Sequence, residues 1–329
     1  MFGRKIHILL IGLCATLIMQ AQPLSPEAEI SLLTCTPGSY LYTLYGHTAI
    51  RVNDPAQEID VTFNYGLFDF DTELFYWKFV RGETWYELGD APMWWFMQQY
   101  IYEKRPVYEQ VLNLTADQRE ALWQALLLNN RPENSKYLYN FVFDNCATRP
   151  YYLIANTLGD TIISDYQGYC GQTYRRFLRH YTGPHSWANA GINLLFGPKA
   201  DQPMSNLQRL FLPEELMFYL EPAHLSDGTP LISRSHIAPF EFAKTPWYAS
   251  WEFGLVLYFL FVFAISCIDR KRKKRSKWLD IIFVVLYGLL LLLVAFLTFF
   301  SCHPLVGFGW RLLILPLVHL CARFVYILR

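Results

Sequence analysis

The sequence has no CxxC pair and no spaced set of cysteines and histidines of the kind that grips zinc, so no metal site and no cofactor are expected. It has no internal repeat and no low-complexity tract, so it is not read as a repeat array or a long disordered arm. Net charge is missing as well: 28 basic residues balance 28 acidic ones. That zero says little by itself, because it averages one dense basic block against the rest. Cysteines are few in the stretch that reads as exported. Only Cys35, Cys146 and Cys170 fall there, and three is odd. In an oxidising compartment at least one thiol therefore stays unpaired, and the sequence leaves a Cys35–Cys170 bridge open.

What the chain has in excess is apolar and aromatic residues, 53% and 17% of it, gathered toward the two ends. Residues 1–22 carry Arg4 and Lys5 and then an apolar run, which reads as a secretory signal or an uncleaved anchor. Cleavage near Ala21 fits, although Met19 is large for the −3 position, and Leu13 before Cys14 argues against lipidation there. From 251 to 329 the chain is membrane-like. Spans are expected near 251–268 and 278–300, with a weaker run at 312–328 interrupted by Pro316, His319 and Arg323. The sequence stops at Arg329, in or just after that run, and leaves the number of spans open. Between the first two lies DRKRKKRSK, seven basic residues in nine. Nine residues between two spans leave no room for a nucleic-acid surface. They act instead as a topological address that stays in the cytoplasm. The first span then runs outside to inside, residues 23–250 form an exported domain, and Ser301-Cys302-His303 return to the outer face.

The exported part is large enough to bury its own core. HTAIRV (47–52) and DVTFNYGLF (60–68) read as strands around the turn NDPAQE, and LYNFVF (138–143) as a third extended segment. Thr115 and Gln118 form a capping-box pattern ahead of the apolar REALWQALLLN. YYLIANTL after Cys146 reads as a buried helix, and Pro213-Glu214-Glu215 as the opening of another. PMWWFMQQY (92–100) is more often core in a soluble domain; beside a membrane it suits an interfacial belt. The class is α+β, followed by transmembrane helices.

The stretch YNFVFDNCATRP (139–150) poses the chemical question. A catalytic cysteine needs a helix N-terminus or an imidazole to activate its thiol. Asn145 is a favoured N-cap residue, which would put Cys146 in a first helical turn; Pro150, as the fifth helical residue, would then delete a backbone bond. The candidate histidines are His47, His180, His185, His224 and His236. His47 opens a predicted strand behind Gly46, whereas the others lie in loop-like segments. A lone histidine is more often structural, and the sequence does not show whether His47 meets Cys146.

GHTAIRV, FNYGLFDF and DNCATRP together resemble the exported domain of the Lnb-type lipoprotein N-acyltransferases of Bacteroidota, over roughly residues 28–245. A histidine strand ahead of a cysteine helix also resembles the circularly permuted papain-like enzymes, among them lecithin:retinol acyltransferase. The resemblance implies a permuted papain-like domain held at the periplasmic face of the inner membrane. It implies that His47 deprotonates Cys146, which takes an acyl chain from a phospholipid as a thioester and passes it to the α-amine of a diacylglyceryl-cysteine lipoprotein. Asn64 is the candidate to orient His47, with a strand-edge role equally open. Arg149 is the candidate to hold a lipid phosphate, although an internal salt bridge is the commoner use of such a residue. Asn145 is placed beside the substrate, with a cap as the plainer reading. Phospholipid, lipoprotein and membrane are the implied partners, and nucleic acid is not one. Two other readings use the same residues: a cysteine peptidase or amidase acting on cell-wall peptides, and a non-enzymatic membrane assembly factor in which Cys146 only packs.

Overall fold

The computed structural model describes residues 22–69, 71–242 and 244–327, so the segment read as a signal lies almost wholly outside the described residues. The exported domain is organised on one seven-stranded sheet in which every neighbouring pair is antiparallel. β1 (Glu29–Cys35) is an inner strand, flanked by β2 (His47–Asp54), the middle strand of the seven, and on the other side by β5 (Val107–Leu112). β3 (Ile59–Leu67), β4 (Trp85–Pro92) and β6 (Lys136–Leu138) continue outward from β2, and β7 (Ile232–His236) edges β5. The order 6-4-3-2-1-5-7 puts both sequence-predicted strands near the centre, where alternate side chains face two different layers.

On one face Ile30, Leu32, Ile50, Val52, Phe63 and Tyr65 pack beneath helices. These are α3 (Ala116–Asn129), α4 (Thr148–Leu158) and α7 (Pro213–Leu220), numbered in a chain that also holds α1 (Phe75–Arg81) and α2 (Met93–Glu103). On the other face Leu33, Cys35 and Ala49 meet Phe96 and Tyr100 of α2. The Trp-rich stretch therefore divides. Phe96 is core, while Trp94 and Trp95 are exposed, because at helical spacing only one stripe can face the sheet. Thr115 Oγ1 accepts from the Gln118 amide and Gln118 Oε1 from that of Thr115, the reciprocal box expected at the start of α3.

The extended segment expected at 138–143 is a correction. Only Leu138 belongs to a strand. Asn140 Oδ1 accepts from the amides of Val142 and Phe143 and turns the chain there, local bonding that outcompetes a ladder. A second aromatic cluster joins α5 (Tyr174–Thr182) to Phe211, Met217 and Val142. Between the two cores Arg209 and Glu215 form a fully buried ion pair at 2.8 Å, with Arg209 also donating to the Asn206 and Tyr166 carbonyls.

α6 (Trp187–Leu195) leads toward the membrane helices, α8 (Trp251–Arg272) and α9 (Lys277–Phe300), of 22 and 24 residues. At about 1.5 Å per residue each is long enough for a hydrocarbon core about 30 Å thick. The third run forms α10 (Ile314–Ile327), 14 residues long among the described residues. It is bolted to the others at the cytoplasmic end, where Arg323 donates to Asp269 and Asp280. At the outer end the Cys302 amide donates to the Arg81 carbonyl, and Trp77 of α1 packs on Phe296 with ring centroids 5.3 Å apart. Residues 301–303 thus lie on the side of the exported domain, as the basic block between the spans requires.

Candidate active site

β2 begins at a constraint. Gly46 has φ +77°, and a Cβ there would sit 2.6 Å from the Cys35 carbonyl oxygen, so only glycine lets the chain enter the strand so close to β1. His47 follows directly, opposite Cys35 in the register. One strand over, β3 carries Asn64 and then a bulge between Tyr65 and Leu67, formed at Gly66 with φ +120°. The pairing of β2 with β3 runs only from Ile50/Phe63 outward, so the ends that carry His47 and Gly66 lie beyond it.

His47 Nε2–H donates to Asn64 Oδ1 at 2.6 Å. An amide oxygen only accepts, so Nε2 carries the proton and Nδ1 is left bare. Cys146 arrives from the opposite layer, in the loop ahead of α4. A Cβ on Gly66 would lie 3.6 Å from both the His47 Cε1 and the Cys146 Cβ. Imidazole and cysteine therefore flank one glycine, about 7 Å apart at most by those two contacts.

Asn145 sets the loop. Its Oδ1 accepts from the Ala147 and Thr148 amides at 2.9 and 3.0 Å, and its Nδ2 donates to the Phe141 and Phe211 carbonyls at 2.8 Å each. α4 begins at Thr148, so Pro150 is its third residue, where a missing N–H costs nothing. Cys146 stands just before the helix rather than in its first turn. Asn145 is buried, with its side-chain amide engaged inside the protein. Arg149 grips Asp144 through Nε and Nη2 with two bonds, 2.6 and 2.8 Å, and lies over the Tyr137 ring at 3.6 Å.

Burial pushes the Cys146 thiol up to about 11, although hydrogen bonds from the backbone N–H of Thr48 and from its own hold the anion. Burial pushes His47 down to about 4; the bond to Asn64 works against this and the Arg105 cation adds to it. At neutral pH the resting pair is thus a thiol beside a neutral imidazole, which suits general-base activation at the moment of attack. Alkylation of Cys146 by iodoacetamide should accordingly rise about tenfold per pH unit from pH 7 to 9, where a free cysteine of pKa about 8.5 already levels off. A plateau for Cys146 below pH 8, read by peptide mass spectrometry, contradicts this.

Gly66 and the Thr48 amide are the site residues that sequence reasoning missed. The glycine in FNYG was a usable signal, since glycine inside a strand pattern marks a bulge. Gly66→Ala puts a methyl between His47 and Cys146 at a backbone angle that L-residues avoid. Turnover should fall on the order of 100-fold, the scale of an ångström-level misplacement. Wild-type rates in that variant would show that the bulge does not shape the site.

The thiol also connects to the membrane face. Tyr86, Tyr137 and Tyr139 stand near enough that a Cys146 thiolate would add to the rise that burial gives each phenol. From there rings run in sequence: Tyr139 on Tyr86 at 4.1 Å, Tyr86 on Phe68 at 4.9 Å, Phe68 on Phe75 at 5.8 Å, and Phe75 on Phe79 at 6.2 Å. Phe79 ends the strip beside His303, whose Nε2–H donates to the Phe79 carbonyl at 2.9 Å, at the outer end of α9. His303 is thus a docking residue between α1 and the end of that span. Cys35, Cys146 and Cys170 are all free thiols.

Residues 20–179 match the Lnb N-terminal periplasmic domain, a segment that holds His47, Asn64, Gly66 and Cys146. Residues 244–329 match the Lnb transmembrane domain, which takes in α8 to α10. No curated protein and no solved structure matches the chain.

Proposed function

Because the chain belongs to the Lnb family, a membrane protein with a periplasmic domain, we propose that it is a thiol acyltransferase of the inner membrane. Cys146 is the nucleophile, His47 the base and Asn64 the residue that holds the ring. In the first half-reaction Cys146 Sγ attacks an ester carbonyl of a phospholipid while its proton passes to His47 Nδ1. The carbon–oxygen bond breaks, the lysophospholipid oxygen takes that proton, and a thioester remains. In the second, the α-amine of a diacylglyceryl-cysteine lipoprotein attacks the thioester. Its proton returns through His47 to the sulfur, leaving an amide and the free thiol. Two low barriers replace one high one, and the amides of Thr48 and Cys146 lie close to the charge that develops.

The observation that carries a lipid substrate over a cell-wall peptide is the aromatic strip from the thiol to the end of α9. Acyl chains follow such a surface; a peptide needs polar partners along its backbone. Intact-protein mass spectrometry after incubation with phospholipid and no acceptor tests the reading. An acyl adduct on Cys146, removed by hydroxylamine, is expected. No adduct, together with cleavage of cell-wall peptides, would transfer the site to the peptidase reading.

A further inference from the structure

A second site lies where the exported domain meets the membrane helices. A cavity of about 400 Å3 is walled by α5 and α6 above and by the first turns of α8 and α10 below. No residue of its lining belongs to the Cys146 site. Its apolar side is Leu255, Ile314 and Leu315, with the indoles of Trp187 and Trp251 at the level of the interface. Trp187 lies directly on α8, where a Cβ at Gly254 would come within 2.5 Å of its ring. The Trp251 indole donates to the Pro184 carbonyl at 3.2 Å. The cavity is therefore held at the depth of the outer leaflet's headgroups.

Its polar side is lopsided. Four arginines, Arg175, Arg176, Arg179 and Arg311, face one carboxylate, Asp201. Arg175 is committed to Asp201 and to the carbonyls of Asn193, Phe196 and Gly197. Arg311 reaches Asp201 only at 3.8 Å, lies over the Trp310 ring, and feels the like charges of Arg175 and Arg179. Arg176 and Arg179 are exposed, and their guanidinium groups have no hydrogen bond or ion pair among the described residues. Four cations thus share a single carboxylate above an apolar floor, with the charges of Arg176 and Arg179 left over. That pattern is complementary to a phosphate carried on a hydrophobic body.

We propose that this cavity binds the phosphate of a glycerophospholipid, with Arg176, Arg179 and Arg311 on the headgroup and the first turns of α8 and α10 against the glycerol and upper acyl chain. Arginine suits the task because its fork engages two phosphate oxygens at once. The site holds a lipid beside the domain whether or not Cys146 acts on one.

The test uses the full chain in detergent micelles, with binding read by native mass spectrometry titration. The probes are phosphatidylglycerol, diacylglycerol with the same chains, and glycerol phosphate. Wild-type protein should retain phosphatidylglycerol at least tenfold more tightly than either of the others. Arg176→Gln/Arg179→Gln should erase that preference, with an unchanged melting curve, since both side chains are on the surface. Equal retention of diacylglycerol would mean an apolar crevice without headgroup recognition. Equal binding of glycerol phosphate would mean a site for soluble phosphates. Either result, or a double variant that binds like wild type, overturns the proposal.

Discussion

Cys146→Ser should stop phospholipid-dependent acyl transfer, with turnover down on the order of 10,000-fold or more, as for other nucleophile removals. The oxygen that replaces the sulfur is a far weaker nucleophile, and His47, pushed to about 4, is too weak a base to ionise an alcohol. The fold should be untouched, because the loop is set by Asn145 and not by the thiol. Release of lysophospholipid in detergent measures the loss. A variant that keeps more than a hundredth of wild-type turnover would remove Cys146 from the reaction. The same base predicts the acid limb: activity should hold until the pH falls through about 4, because only there does His47 Nδ1 become protonated and unable to accept.

The second large effect is on folding. Arg209 and Glu215 are both fully buried. Breaking such a pair by removing one partner typically costs about 3–5 kcal/mol, against a domain stability of about 5–15 kcal/mol. Arg209→Met leaves a carboxylate that burial already pushes upward in pKa and that Arg209 now holds down. With the cation gone, the folded pKa of Glu215 rises further above its unfolded value. Stability of the variant is then lost as the pH climbs through that raised value and partly regained in acid. Arg209 also anchors the turn whose Phe211 carbonyl receives Asn145, so the damage reaches the Cys146 loop. Thermal denaturation of Arg209→Met at pH 7 and pH 5 should show a large drop that shrinks at the lower pH. A melting point within a degree or two of wild type at pH 7 contradicts it. The double variant Arg209→Met/Glu215→Leu should be less damaged than the single one, because no buried charge is left alone.

The parts of this structure that were legible are those encoded locally. The capping box at Thr115, the strand from His47 and the two long apolar spans each follow from a few adjacent residues. The basic block between the spans likewise fixed the side on which residues 301–303 lie. Local pattern failed where a side chain rewired the backbone. Asn140 turned LYNFVF out of the sheet, and Asn145, bonding to Ala147 and Thr148, moved the helix start past Cys146 and made Pro150 harmless. Arg149 bonds Asp144 inside DNCATRP itself, five positions away, and lies over Tyr137. What else was not legible is long-range. The aromatic strip joins residues 68, 86 and 139, which only strand order brings together, and the arginine cavity joins α5 to a turn more than a hundred residues later. His47 and Cys146 lie 99 positions apart in the sequence and flank Gly66 in the fold.

Mass spectrometry of lipoprotein N-termini, from cells carrying either the wild-type chain or Cys146→Ser and no second N-acylating enzyme, tests the central claim most directly. The account predicts triacylated termini with the wild type and diacylated termini with a free α-amine with the variant. Identical N-acylation in the two strains would contradict it.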